Sequence, residues 1–247
     1  MKTAVLTDLH ANREALEAVL EHARGQGATR YAFLGDLVGY GPDPGWVVDR
    51  VRSQVRSGAV AVQGNHDAAV VQGPPPTMRT DARHAAEWTR GVLSGDQLQF
   101  LAALPLTQER GEVLYVHANA YAPAEWDYIQ GRSEAVRSLQ ATPRRVTFCG
   151  HMHEPRLYHL SGLGKAGEFT PTAGIEVPLL PHRQWLVIPG SVGQPRDGDP
   201  AACYALFDEG AWAVTFHRVP YDHDGTAAKM RDAGLPQRLW ERLVDGR

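Results

Sequence analysis

Short apolar runs alternate with amphipathic segments over the first quarter of the chain. Residues 3–7, 31–34 and 59–62 are apolar, β-prone runs of the length that a buried strand needs. Between the first two runs, apolar residues recur at helical spacing after Asn12, which stands at the N-cap position. Residues 46–55 have the same helical character. The pattern therefore predicts the order β-α-β-α-β and an α/β fold, with polar residues following each strand.

The rest of the chain predicts further elements of both kinds. Helices are expected over about 81–92 and 95–103, and strands over 112–116, 145–148, 185–188, 202–208 and 211–218. Residues 161–183 are rich in Gly, Pro and Thr and predict a surface loop or loose hairpin. The tail, about 225–244, is predicted to be helical with a break at Gly234. Because no linker or repeat interrupts the chain, we expect a single domain over 1–247.

Composition and charge exclude several classes of protein. With 43% hydrophobic and 21% charged residues, the chain is typical of a globular protein rather than a disordered one. Its net charge of −3 offers little attraction to a nucleic-acid backbone, so nucleic acid is possible as a partner but is not favoured. No apolar run predicts a membrane span or a signal segment. Two cysteines cannot form a disulfide framework, so a cytoplasmic location is expected.

Metal-ligand side chains follow the predicted strands. Asp8 and His10 are two residues apart, and so are His151 and His153, so each pair can face one ion. Carboxylate oxygen together with imidazole nitrogen suits Mn²⁺, Fe²⁺ or Zn²⁺. The motifs are Asp8-x-His10, Gly35-Asp36, Gly64-Asn65-His66-Asp67, His117 and Gly150-His151-x-His153. In open α/β sheets the carboxyl ends of the strands are where ligands bind, so these motifs predict a metal site there.

The order of these motifs, from Asp8 to His153, resembles the calcineurin-like metallophosphoesterase superfamily. Residues 189–196, with the sequence PGSVGQPR, are similar to a segment of its small bacterial phosphodiesterase branch. The resemblance implies a four-layer α-β-β-α sandwich of two mixed β-sheets flanked by helices. At position 11 an alanine replaces the glycine that is frequent in the family, which predicts an ordinary negative φ there.

The resemblance also implies a centre of two divalent metal ions, with Mn²⁺ expected and Fe, Zn or Ni as alternatives. It assigns Asp8, His10 and His153 to one ion, Asn65, His117 and His151 to the other, and Asp36 to a bridge between them. His66 would be the catalytic residue beside the pair, facing the leaving group. Two ions about 3.5–4 Å apart acidify a bridging water, and the resulting hydroxide would attack phosphorus.

These residues leave several functions open. The leading expectation is a phosphodiesterase for small or nucleotide-like diesters, with a small-molecule phosphoester or nucleotide as partner. A phosphomonoesterase and a dinucleoside-polyphosphate hydrolase are alternatives, and a nuclease is less favoured. Residues 35–42 lack the arginine of the protein-phosphatase branch, so a phosphoprotein substrate is not expected. A metal-stabilised interaction module is the non-enzymatic alternative, and His66 argues against it. The oligomeric state stays open.

Residues around the motifs admit two interpretations each. Arg156 and Arg196 could bind a phosphate through two hydrogen bonds each, although a surface position is expected for both. Asn12 and Arg13 are expected as a helix cap and a solvated residue, with a contact to the site as the alternative. Four aromatic residues form either a substrate wall or part of the core: Tyr40, Tyr121, Trp126 and Tyr128. The six histidines outside the motifs are expected to be structural.

Overall fold

The computed structural model describes residues 1–247 and contains twelve strands and eight helices. The strands are β1 (Lys2–Leu6), β2 (Arg30–Phe33), β3 (Val60–Ala61), β4 (Thr107–Arg110), β5 (Val113–Val116), β6 (Val146–Phe148), β7 (Pro155–Ser161), β8 (Ala166–Phe169), β9 (Glu176–Pro178), β10 (Arg183–Pro189), β11 (Ala202–Asp208) and β12 (Ala213–Val219). The helices are α1 (Arg13–Gly25), α2 (Pro44–Arg56), α3 (Asn65–Gln72), α4 (Thr80–Val92), α5 (Gly95–Ala102), α6 (Arg132–Gln140), α7 (His223–Asp232) and α8 (Gln237–Asp245). None of the helices combines the length and apolar character that crossing a bilayer requires.

The strands form two six-stranded mixed sheets. Sheet 1 has the order β3-β2-β1-β11-β12-β9, and sheet 2 has the order β4-β5-β6-β10-β7-β8. In sheet 1, β1 is parallel to β2 and antiparallel to β11. In sheet 2, β6 is parallel to both β5 and β10, whereas β4, β7 and β8 pair antiparallel with their neighbours. The predicted fold class, with two mixed sheets, is confirmed.

Alternating side chains on the central strands divide the core into layers. On β1, Val5 points into the apolar cluster between the sheets, whereas Ala4 and Leu6 pack with the helices outside sheet 1. On β10, Val187 joins the cluster between the sheets and Leu186 packs with residues of α6. Because successive side chains of a strand point to opposite faces, both sheets are covered on both sides. The result is the expected α-β-β-α sandwich.

The predicted β-α-β-α-β start occurs with shifts of one or two residues at most element ends. Asn12 caps α1, because its Oδ1 accepts a hydrogen bond from the backbone N–H of Ala15 at 3.1 Å. The apolar face of α1 is fully used against sheet 1. Its buried residues are Ala15, Leu16, Val19, Leu20 and Ala23, those that the spacing selected.

Four elements lie where no element was predicted. β4 is a polar edge strand with the sequence TQER, and β7 begins at a proline, so neither shows a simple strand pattern. α6 buries only Ala135, Ser138 and Leu139, which is too narrow an apolar stripe to predict a helix. α3 begins at Asn65, inside the third motif. Weak or interrupted periodicity therefore accounts for these omissions.

The segment 161–183 connects the two sheets. β8 pairs with β7 in sheet 2, whereas β9 pairs with β12 in sheet 1. The tail forms α7 and α8, which are separated around Gly234. Leu235, Leu239 and Leu243 pack there with Ala85 of α4, so the tail is docked on the helical layer. Both cysteines are free and buried.

Candidate metal centre

The motif residues meet at one edge of the sandwich, where the parallel strands end. Asp8 and His10 follow β1, Asp36 follows β2, His117 follows β5, and His151 follows β6. Backbone hydrogen bonds join the loops. The N–H of His10 donates to the Asp36 carbonyl at 2.9 Å, and the N–H of Gly150 donates to the His117 carbonyl at 2.7 Å. The loops are thus fixed to one another before any ligand binds.

Four buried side chains form the first group of candidate ligands, Asp8, His10, Asp36 and His153, whose ligand atoms lie within 4.8 Å of one another. His153 Nε2 lies 3.3 Å from Asp8 Oδ1 and 3.2 Å from His10 Nε2. His10 Nε2 lies 3.8 Å from Asp36 Oδ2. Two carboxylates and two imidazoles therefore converge on one point.

The second group consists of Asp36, His117 and His151. His117 Nε2 lies 3.5 Å from Asp36 Oδ2 and 3.1 Å from the Oδ1 of Asn65. Asp36 thus belongs to both groups, as a bridging carboxylate must. The structure brings all seven expected ligands together, and their assignment to two ions stays a prediction.

Backbone carbonyls orient three of the imidazoles. Because a carbonyl can only accept, each ring donates from Nδ1, and the Nε2 of a neutral ring is left as a lone pair facing the centre. The three bonds are His10 to Val38 at 3.3 Å, His117 to Leu34 at 2.7 Å, and His153 to Gln194 at 2.6 Å. In its neutral form each of these rings therefore presents a nitrogen ligand to the centre.

With neutral imidazoles, the polar atoms at the centre lack hydrogen-bond partners. With neutral rings, the Nε2 atoms of His10 and His153 direct two lone pairs at each other across 3.2 Å. Asp8 Oδ1 is buried and has no hydrogen-bond partner. Since buried polar atoms are almost always paired, a positive ion between these three atoms would supply the partner that they lack when both rings are neutral. The residues present thus fit a divalent metal.

Charges within the cluster perturb several pKa values. Burial alone raises the pKa of Asp8, but His153 and His117 outweigh it and hold that pKa well below its usual range. Asp36 likewise has a lowered pKa, because His117 and His66 outweigh burial. Burial lowers the pKa of His10. Both carboxylates are therefore ionised at neutral pH, and His10 is neutral, as metal ligands must be.

Left-handed backbone is concentrated at this edge. Eight of the nine non-glycine residues with positive φ lie here: Asp8, His10, Ala11, Asp36, Tyr40, Trp126, His151 and His153. The expectation of an ordinary φ at Ala11 was wrong, since its φ is 51°. There the N–H of Ala11 donates to the Leu37 carbonyl at 2.9 Å, which fixes the turn. Each such residue costs about 1–2 kcal/mol, and strain of this kind clusters at functional sites.

Comparison with known proteins decides the family. The model of the calcineurin-like phosphoesterase superfamily domain matches residues 1–211. The chain belongs to this superfamily. Its members use divalent metals, and the two ligand groups are the candidate metal cluster of this member.

Relatives of this calcineurin-like phosphoesterase cover the whole chain. A crystal structure of a metallophosphoesterase from Sphaerobacter thermophilus is 37% identical, has a TM-score of 0.88 and covers 100% of both chains. An uncharacterised protein of Methanocaldococcus jannaschii is 34% identical over 99% of this chain and 98% of its own. A hypothetical protein of Pyrococcus horikoshii, at 19% identity and a TM-score of 0.80, covers 100% of this chain and 98% of its own and shows the shared fold.

In this phosphoesterase, His66 lies beside the ligand groups and is held by Tyr40. The ring centroids of His66 and Tyr40 are 4.3 Å apart, and His66 Nδ1 is buried without a partner. Asp67 does not orient His66, because its carboxylate accepts from the backbone N–H groups of residues 37, 38 and 64. Asp43 accepts instead from Lys229. Burial lowers the pKa of His66 to about 4, so the ring is neutral at pH 7.

A cleft of about 540 Å³ opens above the centre. Asn65, His66 and His151 line it next to the ligand groups, Trp126 and Tyr128 add aromatic surface, and residues of 72–82 contribute to the lining. The Tyr128 ring stacks on His151 with centroids 4.0 Å apart, and Trp126 meets His117 at 5.8 Å. A cavity of about 580 Å³ between α1 and α2 contains none of the motif residues.

Of the aromatic and arginine residues with two interpretations, some lie beside the site and the others lie at the surface. Tyr40, Trp126 and Tyr128 border the cleft, whereas Tyr121 packs under Arg137, with 3.8 Å between guanidinium carbon and ring centroid. Arg156 pairs with Glu154, and Arg13 with Glu17, both at the surface. Arg196 is half-buried, over the Tyr40 ring at 5.9 Å.

Asn12 is a helix cap and also contacts the loop beside the site. Besides capping α1, its Nδ2 donates to the Gly193 carbonyl at 2.9 Å and to the Tyr221 hydroxyl at 3.1 Å. The carbonyls of Leu34, Val38 and Gln194 orient ligands, yet sequence reasoning did not select them. A backbone group leaves no trace in the side-chain pattern, so only the folded loop reveals this role.

Proposed function

We propose that this protein is a metal-dependent phosphodiesterase acting on small or nucleotide-like phosphodiesters. One observation carries the proposal: two metal-ligand groups share Asp36, and His151 of the second group lines a cleft that also contains Asn65 and His66. The cleft walls add aromatic surface at Trp126 and Tyr128, suited to an organic substituent of the phosphate. We propose that the protein is located in the cytoplasm, in keeping with two cysteines that form no disulfide.

Each ligand group has a defined task in this proposal. When bound, two divalent ions supply positive charge to the phosphoryl oxygens and lower the pKa of water. Asp8, His10 and His153 would hold one ion, Asn65, His117 and His151 the other, and Asp36 both. We propose Mn²⁺ because mixed oxygen and imidazole ligation suits it, with Fe, Zn and Ni as the metals to compare.

His66 would assist the leaving group. It is neutral at pH 7, and a neutral imidazole still carries one N–H that can donate to the departing oxygen. An anionic phosphate in the cleft raises the pKa of a neighbouring histidine, which favours proton donation. Tyr40 keeps the ring in place by packing against it.

Hydrolysis of two chromogenic esters tests the proposal. Metal-stripped protein is assayed with bis-p-nitrophenyl phosphate and p-nitrophenyl phosphate after Mn²⁺, Zn²⁺, Ni²⁺ or Mg²⁺ is restored. Metal-dependent turnover that favours the diester is expected. Preference for the monoester would replace the proposal by a phosphomonoesterase. Absence of turnover despite two bound ions would favour the metal-stabilised interaction module.

His66→Ala separates catalysis from metal binding. The variant should retain both ions by elemental analysis while turnover falls at least about 100-fold, the lower range for loss of a general acid. His182→Ala, an exposed histidine on a surface loop, is the matched control and should keep wild-type turnover. Wild-type turnover in His66→Ala would remove His66 from the mechanism.

A further inference from the structure

Arginines collect at one side of the metal centre, where α8 meets the Tyr40 loop. Arg79, Arg238 and Arg242 line a small cavity together with the Tyr40 ring. Tyr40 is in turn the residue that packs against His10 and His66, with ring centroids 4.5 and 4.3 Å apart. The cavity is thus one aromatic ring away from the candidate ligands.

Arg196 is a fourth arginine next to the same ring. Its guanidinium carbon lies 5.9 Å from the Tyr40 centroid. Its guanidinium donates to Oε1 of Gln194, at 2.8 and 3.3 Å. Tyr40 therefore has arginines on the cavity side and above its ring, and the metal-ligand histidines next to it.

These four arginines lack acidic partners. Ion pairs within 4.0 Å occupy seven other arginines, such as Arg144 with Glu109, but none of the four. The side chains of Arg79, Arg238 and Arg242 make no hydrogen bond, so their N–H groups are available. Asp81 is the one carboxylate that lines the cavity, and it forms no ion pair with them.

The uncompensated positive charge of the cluster favours the binding of an anion. Burial lowers the pKa of Arg242, and the charges of Arg196, Arg238 and Arg79 lower it further. Like charges held together without counter-charge destabilise one another, and a bound anion removes that repulsion. Guanidinium groups match the oxygens of phosphate in a bidentate geometry and remain charged at any physiological pH.

We infer that Arg79, Arg196, Arg238 and Arg242 bind a second phosphate of the substrate, distinct from the phosphate that is hydrolysed. The inference rests on the proposed phosphodiesterase function, which places the reacting phosphate at the metal ligands. The substrate class is then a small nucleotide-like diester that carries an additional terminal or bridging phosphate. The cluster comprises four side chains in a protein of net charge −3, so it suits a small molecule rather than a nucleic-acid backbone.

Two esters that differ only in one phosphate test the inference. Thymidine 5′-(p-nitrophenyl phosphate) carries the reacting diester alone, and its 3′-phosphorylated form adds the second phosphate. The wild type should show a kcat/KM at least about tenfold higher for the phosphorylated ester, the factor from one charge-assisted hydrogen bond at its lower limit. In the double variant Arg238→Gln/Arg242→Gln this preference should fall to near unity.

The preference is a ratio within one protein, so it is independent of any overall loss of rate in the variant. Arg56→Gln is the control: Arg56 is an exposed arginine at the C-terminal end of α2, away from the cluster, and its variant should keep the wild-type preference. Equal rates for both esters in the wild type would overturn the second subsite. So would an undiminished preference in the double variant.

Binding to metal-free protein keeps the two proposals distinguishable. Calorimetric titration with inorganic pyrophosphate should show binding to wild type and to Arg56→Gln, and at least about tenfold weaker binding to the double variant. If neither thymidine ester nor bis-p-nitrophenyl phosphate is hydrolysed, the phosphodiesterase proposal fails, and this titration decides the subsite alone. Equal pyrophosphate affinities in wild type and double variant would refute it.

Discussion

Metal binding should expel a proton from His117. Burial alone lowers the pKa of this histidine, but Asp36 Oδ2 at 3.5 Å outweighs it, and Asp8 and the Leu34 carbonyl act in the same direction. The resulting pKa is about 9 in the metal-free protein. A metal can bind Nε2 only after the proton has left, so proton and metal compete for one nitrogen.

The size of this competition follows from the pKa. A pH of 7.5 lies about 1.5 units below the pKa of this imidazole. Removing the proton therefore weakens metal binding at Nε2 by about 2 kcal/mol, at 1.36 kcal/mol per unit. The affinity of the group containing His117 for a metal ion should therefore rise about tenfold per pH unit up to pH 9 and then level off. His10 and His151 have lowered pKa values, so they add no such dependence.

Calorimetric titration of Mn²⁺ in buffers of different ionisation enthalpy measures the protons released. Wild type at pH 7.5 should release one proton more per protein than His117→Gln, which has an amide in place of the imidazole. The same titrations at pH 6.5, 7.5 and 8.5 give the slope of affinity against pH. Identical proton release in the two proteins would refute the His117–Asp36 argument.

Three further perturbations probe the site and its support. Asp36→Asn should weaken both ions together, since one carboxylate serves both groups, and elemental analysis showing one full site would contradict the bridge. Asn12→Ala should cost about 2–4 kcal/mol in the free energy of unfolding, from a lost helix cap and an unpaired carbonyl at Gly193. Asn12→Ser keeps the cap and should cost about 1 kcal/mol less, and equal costs in urea titrations would disprove the cap contribution. Burial, His22 and Lys2 lower the pKa of His217 from 6.5 to about 4, so the unfolded chain binds more protons between these values. Stability should therefore fall as pH drops through this window, less so in His217→Gln, and parallel urea midpoints for the two proteins would count against it.

Sequence reasoning worked where the pattern and the structure share one physical cause. Helix α1 was predicted because its five buried residues follow the helical period and Asn12 caps it. The strand-end motifs could be placed at one edge because parallel strands end there together. The fold of the superfamily followed from the order of those motifs, not from periodicity.

Other features depend on contacts that no local pattern encodes. The left-handed turn at Ala11 is imposed by its bond to the Leu37 carbonyl, against the preference of alanine. β9 joins sheet 1 only because the chain crosses over from sheet 2 after β8. Arg238 and Arg242 lie more than 80 residues beyond the last motif, and only the docking of α8 brings them to Tyr40.

The pairing of β1 has a consequence for the order of events during synthesis. β1 carries Asp8 and His10 at its end and lies between β2 and β11, so one of its two neighbours is made about 200 residues later. A nascent chain can therefore contain every motif up to His153 while β1 still lacks half of its hydrogen-bonding partners. Long-range pairings of this kind form slowly. The strand that carries the first two ligands is therefore fully paired only late in synthesis, and until then its exposed edge is open to aggregation.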